Sequence, residues 1–255
     1  MIKTIDTHAH YDAEEFDADR DELLTRLFAE SVDSIITMGC SLKSSAAALK
    51  LAEKYERMYA AVGIHPEDCE NLPDDYISQI KTLAANKKVR AIGEIGLDYH
   101  YDGFSREKQI DCFKEQLKLA QELDFPVVIH SRDATKDTLD ILAEYRPRGV
   151  VHCFSGSAET AREILRLGLM ISFTGVLTFK NAKKAVEACE VIPLDRIMLE
   201  TDCPYMSPVP YRGERCDSSM VRFTAEKLAQ IKEISTDEAI LACNRNAIEF
   251  FGLTP

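Results

Sequence analysis

Eight short apolar segments alternate with helical patterns along the whole chain, and this alternation is the strongest constraint on the fold. The segments are rich in β-branched and other apolar residues, as expected of buried strands. They span residues 3–8, 34–38, 58–64, 89–95, 126–130, 149–152, 169–173 and 196–200. Between them lie helical patterns such as Ile110, Phe113, Leu117 and Ala120, which recur every three or four residues as one apolar stripe.

Strands that are apolar on both faces and separated by helices are typical of a parallel sheet covered by helices. Eight such units in 255 residues predict an α/β protein, a (β/α)8 TIM-type barrel. A doubly wound open sheet is the alternative, although neither a GxGxxG nor a Walker-type loop is present. Because no linker rich in Pro, Gly or Ser divides the chain, we expect residues 1–255 to form one domain.

The composition predicts an ordinary cytoplasmic protein. No run of about 18 uncharged apolar residues occurs, and the N-terminus lacks the pattern of a signal peptide. We therefore expect no membrane contact, a cytoplasmic location and a monomer. The eight cysteines include no CxxC pair, so we expect reduced thiols rather than disulfides or a zinc finger.

The net charge of −12 weighs against a purely electrostatic nucleic-acid binder, which normally carries a basic patch. It does not exclude an enzyme that acts on phosphates. Bound divalent cations add positive charge that the sequence does not count, and they add it where an anionic group docks.

Metal-binding side chains occur where the predicted strands end. A pair of histidines follows the first strand, single residues end the fourth, fifth and sixth, and an aspartate follows the eighth. In a barrel these ends meet at the face where active sites are built. Each residue alone has a structural explanation, such as a hydrogen-bonded strand-end histidine or a turn aspartate; as a set they predict a metal centre. The set is His8, His10, Glu94, His130, His152 and Asp202.

Imidazoles and carboxylates together suit Zn²⁺, Mn²⁺, Mg²⁺ or Fe²⁺. Six ligands are more than one ion usually takes from protein while leaving a position for water, so we predict two divalent metal ions. Glu94 lies on the middle strand of the set and is the natural bridge. Two such ions activate a shared water and stabilise both the attacking and the leaving oxygen at phosphorus.

At this point the chain resembles the TatD family of metal-dependent deoxyribonucleases, within the amidohydrolase-like metal-dependent hydrolases. The matching motifs run from end to end of the chain in family order and are highly specific as a set. They are IDTHAH at 5–10, GEIGLDY at 93–99, PVVIHSR at 126–132, HCFSG at 152–156 and ETDCP at 200–204.

The resemblance implies a role for each ligand. His8, His10, Glu94 and Asp202 would hold one metal, and Glu94, His130 and His152 the second. Asp202 would also take the proton from the attacking water, which requires one of its oxygens to stay free.

Two further residues are candidates for substrate binding. His65 ends the third predicted strand on the same face, where it contacts a substrate phosphate, orients a ligand, or simply packs. Arg132 follows His130 by two positions and is placed for a bidentate phosphate contact, with an ion pair to a loop carboxylate as the alternative. Arg212 and Arg215 are also expected near the mouth.

One loop departs from the family pattern. Cys216, Asp217 and Ser218 stand where many relatives have Asn, an acid and Pro. We expect this loop beside the metal site, where the difference bears on substrate preference.

These observations predict a metal-dependent hydrolase, a deoxyribonuclease that degrades single-stranded or frayed DNA from the 3′ end, with DNA or a small phosphodiester as substrate. The alternatives are an amidase, lactonase or ester hydrolase with the same metal site, and a barrel that binds metal or nucleic acid without catalysis.

Overall fold

The computed structural model describes residues 2–254, in which eight parallel strands form one sheet in sequential order. The strands are β1 Thr4–Ala9, β2 Val32–Met38, β3 Met58–Val62, β4 Val89–Asp98, β5 Val127–Arg132, β6 Gly149–Val151, β7 Met170–Phe173 and β8 Ile197–Leu199. The α-helices are α1 Arg20–Glu30, α2 Leu42–Lys54, α3 Tyr76–Ala84, α4 Arg106–Leu123, α5 Thr135–Tyr145, α6 Ala158–Arg166, α7 Lys183–Val191, α8 Val221–Lys232 and α9 Thr236–Phe251. Short 3-10 helices span Glu14–Phe16, Pro66–Asp68, Gly175–Thr178, Leu194–Arg196 and Ser218–Met220.

The (β/α)8 barrel predicted from the sequence is confirmed, and each of the eight predicted strands is present. The prediction that every ligand lies at the end of its strand is wrong for two of them. β4 continues past Glu94 to Asp98, and β5 continues past His130 to Arg132. The two strands stay paired over this extension, so their last residues also belong to the rim of the site.

Backbone hydrogen bonds join β8 to β1 and bring three candidate ligands together. The N–H of Asp202 donates to the carbonyl of His8 at 2.9 Å, and the N–H of His10 donates to the carbonyl of Cys203 at 2.8 Å. A parallel bridge between Ala9 and Cys203 lies between them. The join that closes the barrel therefore also fixes the spacing of Asp202 relative to the two histidines.

An apolar cluster fills the barrel interior. Every strand contributes to it, for example Ile5 from β1 and Met198 from β8, and a cluster reached by all eight strands lies inside the barrel. Phe250 and Phe251 of α9 pack against the same cluster. Burying each such side chain contributes roughly 1.5–3 kcal/mol, so the interior supplies a rigid base for the residues at the opposite ends of the strands.

A larger apolar cluster joins the outer face of the barrel to the surrounding helices. Helix starts are set by local caps, of which α2 is an example. The Ser41 side chain accepts a hydrogen bond from the backbone N–H of Ser44, and the Ser44 hydroxyl accepts one from the backbone N–H of Ser41, which completes a capping box. Ser44 Oγ also accepts from the backbone N–H of Cys40 at 2.7 Å, which holds that cysteine at the end of β2. Within residues 2–254, no helix has the length and apolar composition needed to cross a membrane.

Candidate metal centre

The carboxylate of Glu94 lies at the centre of the predicted ligands, and its two oxygens face different groups. Oε2 lies 3.3 Å from Nε2 of His8 and 3.6 Å from Nε2 of His10. The two imidazole nitrogens are 3.1 Å apart. One carboxylate oxygen and two ring nitrogens thus converge on a single point beside β1.

Asp202 completes this first group. Its Oδ1 lies 3.2 Å from Nε2 of His10 and 3.5 Å from Nε2 of His8. Burial alone would raise the pKa of Asp202, but its hydrogen bond with His10 and the nearby imidazoles hold the pKa below its usual value. Asp202 is therefore ionised at neutral pH.

The other oxygen of Glu94 faces a second group. Oε1 lies 2.8 Å from Nε2 of His152 and 2.9 Å from Nδ1 of His130, and these two nitrogens are 3.3 Å apart. The ring of His152 stacks on that of His8 with centroids 3.9 Å apart, so the two groups share a wall.

The donor set fits divalent cations. Burial alone would raise the pKa of Glu94, but the neighbouring His152 and His8 hold it well below its usual value, so the carboxylate is ionised. Ring nitrogens and carboxylate oxygens converge within 4 Å of one another, and a divalent cation would take the place of the imidazole protons that pair with the carboxylates. Imidazole and carboxylate donors suit Zn²⁺, Mn²⁺ or Fe²⁺. His8, His10 and Glu94 lie close enough together to hold one ion.

Three residues that the sequence analysis did not single out contact the far side of the ligand rings. Asp98 Oδ2 lies 2.8 Å from Nε2 of His130, Cys40 Sγ lies 3.7 Å from Nδ1 of His10, and Glu200 Oε1 lies 3.5 Å from Nδ1 of His152. A hydrogen-bonded outer partner fixes the orientation of a ligand histidine and determines which nitrogen keeps its proton. This holds for His130 and His10, whereas Nδ1 of His152 makes no hydrogen bond within residues 2–254.

The extension of β4 places Asp98 against His130. Gly96 lies opposite His130 in the strand pair, with a φ of 146°, and a Cβ there would lie 2.0 Å from the His130 carbonyl oxygen. Only glycine allows this approach. The GEIGLD segment therefore carries two polar positions, Glu94 and Asp98, that contact opposite sides of the same ring.

His65 lies beside the second group, but its hydrogen bonds indicate a donor rather than a ligand. Burial lowers its pKa to about 3, so the ring is neutral. Its Nδ1 accepts the backbone N–H of Glu67 at 3.2 Å. A neutral ring that accepts at Nδ1 carries its proton on Nε2, and that atom lies 3.6 Å from Glu94 Oε1. Distance alone would admit His65 as a ligand with Glu94 and His130; the tautomer favours a proton donor that points into the site.

Comparison with known proteins agrees with this geometry. The sequence profile of the family described as TatD related DNase matches residues 5–252. This chain belongs to the TatD family. It is 43% identical over 249 residues to the uncharacterized metal-dependent hydrolase YabD of Bacillus subtilis, an alignment that covers 96% of this chain and 98% of that protein.

Two further members of the TatD family are similar to this chain. The 3′-5′ ssDNA/RNA exonuclease TatD of Cronobacter sakazakii is 38% identical over 198 residues, covering 76% of this chain and 75% of that protein. The crystal structure of YjjV, a TatD homologue from Escherichia coli K12, superposes with a TM-score of 0.93 at 33% identity and 98% coverage of both chains. The chain is thus a metal-dependent hydrolase of the TatD family.

The TatD metal centre opens into a cavity of about 770 Å³ that both substrate-binding candidates line, His65 and Arg132. The Arg132 guanidinium lies 5.0 Å from the ring centroid of Tyr101 and donates to its hydroxyl at 3.3 Å. Among residues 2–254 it forms no ion pair with a carboxylate, which leaves its charge available to the cavity.

The two other arginines expected near the mouth do not line this cavity. Arg215 forms a two-pronged contact with Asp19, at 2.6 and 2.8 Å, and stacks on Phe16. Arg212 stacks on Phe179 with its guanidinium 3.7 Å from the ring centroid. Each instead contacts side chains outside the cavity lining, Asp19 and Phe16 for Arg215 and Phe179 for Arg212.

The loop that departs from the TatD pattern lies behind the ligands rather than in the cavity. Ser218 is buried and donates to Asp6 Oδ2 at 2.6 Å. Asp6 also accepts from the N–H of His8 at 3.3 Å and from the hydroxyl of Thr201 at 2.6 Å. Burial raises the pKa of Asp6 to about 7 against the opposing effect of these hydrogen bonds. Residues 216–218 therefore lie next to the segment that carries His8, but they do not line the cavity, so their difference from the family pattern does not contact the substrate directly.

Proposed function

We propose that this TatD-family hydrolase is a two-metal phosphodiesterase that removes nucleotides from the 3′ end of single-stranded or frayed DNA. The proposal rests on the two carboxylate oxygens of Glu94, which face different histidines. Oε2 faces His8 and His10, whereas Oε1 faces His130 and His152. A carboxylate placed in this way would be shared by two ions, and paired ions would supply the charge stabilisation that displacement at phosphorus needs.

The ligands divide into two sets around that bridge. His8, His10, Asp202 and Glu94 would hold one ion, and His130, His152 and Glu94 would hold the other. When bound, the ions lower the pKa of a water and offset negative charge at the phosphate.

Asp202 is the proposed base. Its Oδ1 contacts the two β1 histidines, while its Oδ2 makes no hydrogen bond within residues 2–254. A lowered pKa keeps the group ionised, and the free oxygen is available to take a proton from water.

The substrate phosphate is held by donors that are not ligands. The Nε2–H of His65 points toward the Glu94 side of the cavity, and Arg132 supplies a fixed positive charge on the adjacent rim. A neutral donor and a guanidinium together suit a phosphodiester, whose single charge stays on the non-bridging oxygens. The name of the Cronobacter relative, a 3′-5′ ssDNA/RNA exonuclease, supports the proposed polarity.

The test is a cleavage assay on a single-stranded oligonucleotide labelled at its 5′ end. With added Mg²⁺, Mn²⁺ or Zn²⁺ we expect a ladder that shortens from the 3′ end, and none after treatment with a chelator. His130→Ala should lose this activity. His100→Ala is the matched control, because His100 is a half-exposed histidine on the same rim that contacts Asp133 instead of the ligands.

A panel of small phosphodiesters, amides and lactones completes the test. Turnover of an amide or lactone with no cleavage of any phosphodiester would overturn the proposal and favour the alternative chemistry at carbon. Equal activity of His130→Ala and the unchanged protein would overturn the assignment of the second ion.

A further inference from the structure

Large hydrophobic side chains that are exposed gather around the metal cavity. Among residues 2–254 the exposed large hydrophobics include Tyr101, Tyr205, Met206 and Val209, which follow β4 and β8, while Val191 and Leu241 lie on helices away from the site. Three of the four, Tyr101, Tyr205 and Met206, line the same cavity as the ligands. Exposed apolar side chains grouped at a cavity indicate a surface that binds something.

The two tyrosines lie on opposite sides of the mouth. Tyr101 follows β4 and contacts Arg132 at the end of β5. Tyr205 follows β8, its N–H donates to the Asp202 carbonyl, and its ring centroid lies 6.5 Å from that of His10, which directly follows β1. Because the strands follow one another in order around the barrel, β4 and β5 lie half a turn away from β8 and β1. The ligands therefore lie between the two aromatic rings.

Both tyrosines are partly exposed at the cavity. Tyr101 is 50% exposed and Tyr205 is 53% exposed. The Tyr101 ring is held by the guanidinium of Arg132, and the backbone of Tyr205 is held by the turn that begins at Asp202. A partly exposed tyrosine ring is a ready surface for stacking, since a side chain with only two rotatable bonds loses little freedom when a flat ligand covers it.

Unpaired nucleobases are the flat groups that such rings take. The net charge of −12 means that a general attraction for the phosphate backbone does not account for binding a long polyanion. Stacking supplies affinity that does not depend on charge. It also selects single strands, because the bases of a duplex are already stacked on each other.

We propose that Tyr101 and Tyr205 form two base-stacking walls, one on each side of the scissile phosphate. This inference rests on the proposed function and extends it by assigning the contacts that recognise single-stranded nucleic acid. The phosphate lies at the ligands between the rings, and the base on each side of it stacks on one tyrosine.

The experiment compares tyrosine variants on two oligonucleotides of equal length. One carries normal bases, and the other carries abasic residues at the positions that flank the scissile bond. Tyr101→Ala and Tyr205→Ala should each raise KM for the normal oligonucleotide about tenfold, the size expected for one base stacked on an aromatic ring. The same variants should have no such effect on the abasic oligonucleotide, because nothing is left to stack.

Conservative and remote variants separate stacking from folding. Tyr205→Phe keeps the ring and should behave like the unchanged protein. Tyr101→Phe keeps the ring and its contact with the Arg132 guanidinium but loses the hydroxyl that accepts from Arg132, so its KM should rise much less than that of Tyr101→Ala. Leu241→Ala removes an equally exposed apolar side chain from α9 and should leave KM unchanged for both oligonucleotides. If KM rises as much in the phenylalanine variants as in the alanine variants, the stacking proposal fails. It also fails if the alanine variants raise KM equally for both oligonucleotides.

A binding measurement distinguishes failure of this inference from failure of the proposed function. A phosphorothioate oligonucleotide containing 2-aminopurine resists cleavage and reports stacking by fluorescence quenching. Quenching that is lost in the alanine variants supports the two walls even if the protein cleaves no DNA. Cleavage of normal oligonucleotides without any quenching would leave the proposed function standing and overturn the walls.

Discussion

The Nε2 atom of His130 lies 2.8 Å from Oδ2 of Asp98, while Nδ1 of the same ring lies 2.9 Å from Glu94. One carboxylate thus holds the ring from behind as its other nitrogen faces the metal centre. Burial alone would raise the pKa of Asp98, but the hydrogen bond with His130 holds the pKa below its usual value. An ionised Asp98 accepts a hydrogen bond from the Nε2–H of His130, so the proton stays on Nε2 and the Nδ1 lone pair is available to a metal.

Asp98→Ala should therefore weaken binding of one metal ion by about 10- to 100-fold, the usual cost of losing an outer partner. Asp98→Asn keeps an acceptor oxygen beside the ring, so its loss should be smaller. Metal titration against a competing chelator measures both affinities, and circular dichroism checks the fold. Unchanged metal binding in Asp98→Ala would show that this contact does not orient the ring.

The bridging position of Glu94 predicts a pattern of metal content. The unchanged protein should retain two ions per chain, His10→Ala and His152→Ala about one each, and Glu94→Gln neither, because the amide removes the charge that both ions share. Elemental analysis after dialysis gives these ratios. Two ions retained by Glu94→Gln would rule out the bridge.

Much of the fold and of the ligand set could be predicted because both follow from short periodic segments. The strand that leads into His152 is apolar on both faces, and the polar residue at its end marks the rim of a barrel. The positions of His8 and Asp202 followed from the same rule. What the pattern did not show was how far each strand continues.

The sequence pattern did not reveal the residues behind the ligand rings, and the physical reason differs for Asp98, Glu200 and Cys40. Asp98 lies beyond the end of the strand predicted at 89–95, and pairing with β5 keeps that segment extended. Glu200 resembles an ordinary residue at the end of a strand. Cys40 directly follows Gly39 at the end of β2, so the rule that found the histidines would have found it, but a single thiol among eight has no pattern of its own.

Cys40 connects His10 to Glu94. Its Sγ lies 3.7 Å from Nδ1 of His10 and 3.8 Å from Oε2 of Glu94, and burial raises the pKa of the thiol to about 11. The neutral S–H therefore accepts from the ring and donates to the carboxylate. Cys40→Ala should lower the affinity for the ion on the His10 side by about tenfold.

Cys40→Ser should retain most of the affinity that Cys40→Ala loses, since a hydroxyl both accepts and donates. Cys153→Ala is the matched control, because its thiol also lines the cavity but contacts Thr174 instead of a ligand ring. Chelator competition measures the affinities. An equal loss in the serine and alanine variants would contradict the hydrogen-bonded role.

Ser218 should matter for stability rather than for substrate choice. Its hydroxyl donates to buried Asp6, and its N–H donates to the hydroxyl of Tyr11 at 3.0 Å. Ser218→Ala leaves Asp6 short of one donor and should lower the free energy of unfolding by about 1–3 kcal/mol. Ser219→Ala removes a less buried hydroxyl on the same turn and should cost about 0.5 kcal/mol or less. Urea denaturation compares the two, and equal costs would argue against the buried network.

His65 should act on substrate and leave metal content unchanged. Its Nδ1 is occupied by the N–H of Glu67, so only the Nε2 proton faces the cavity. His65→Ala removes this donor and should raise KM for an oligonucleotide about tenfold, while the number of bound ions stays the same. His65→Gln places an amide N–H at a similar reach and should recover part of the loss. Kinetics and elemental analysis on the same preparations distinguish the two roles. Loss of an ion from His65→Ala would make His65 a ligand. A higher KM at constant metal content would make it the donor that holds the phosphate.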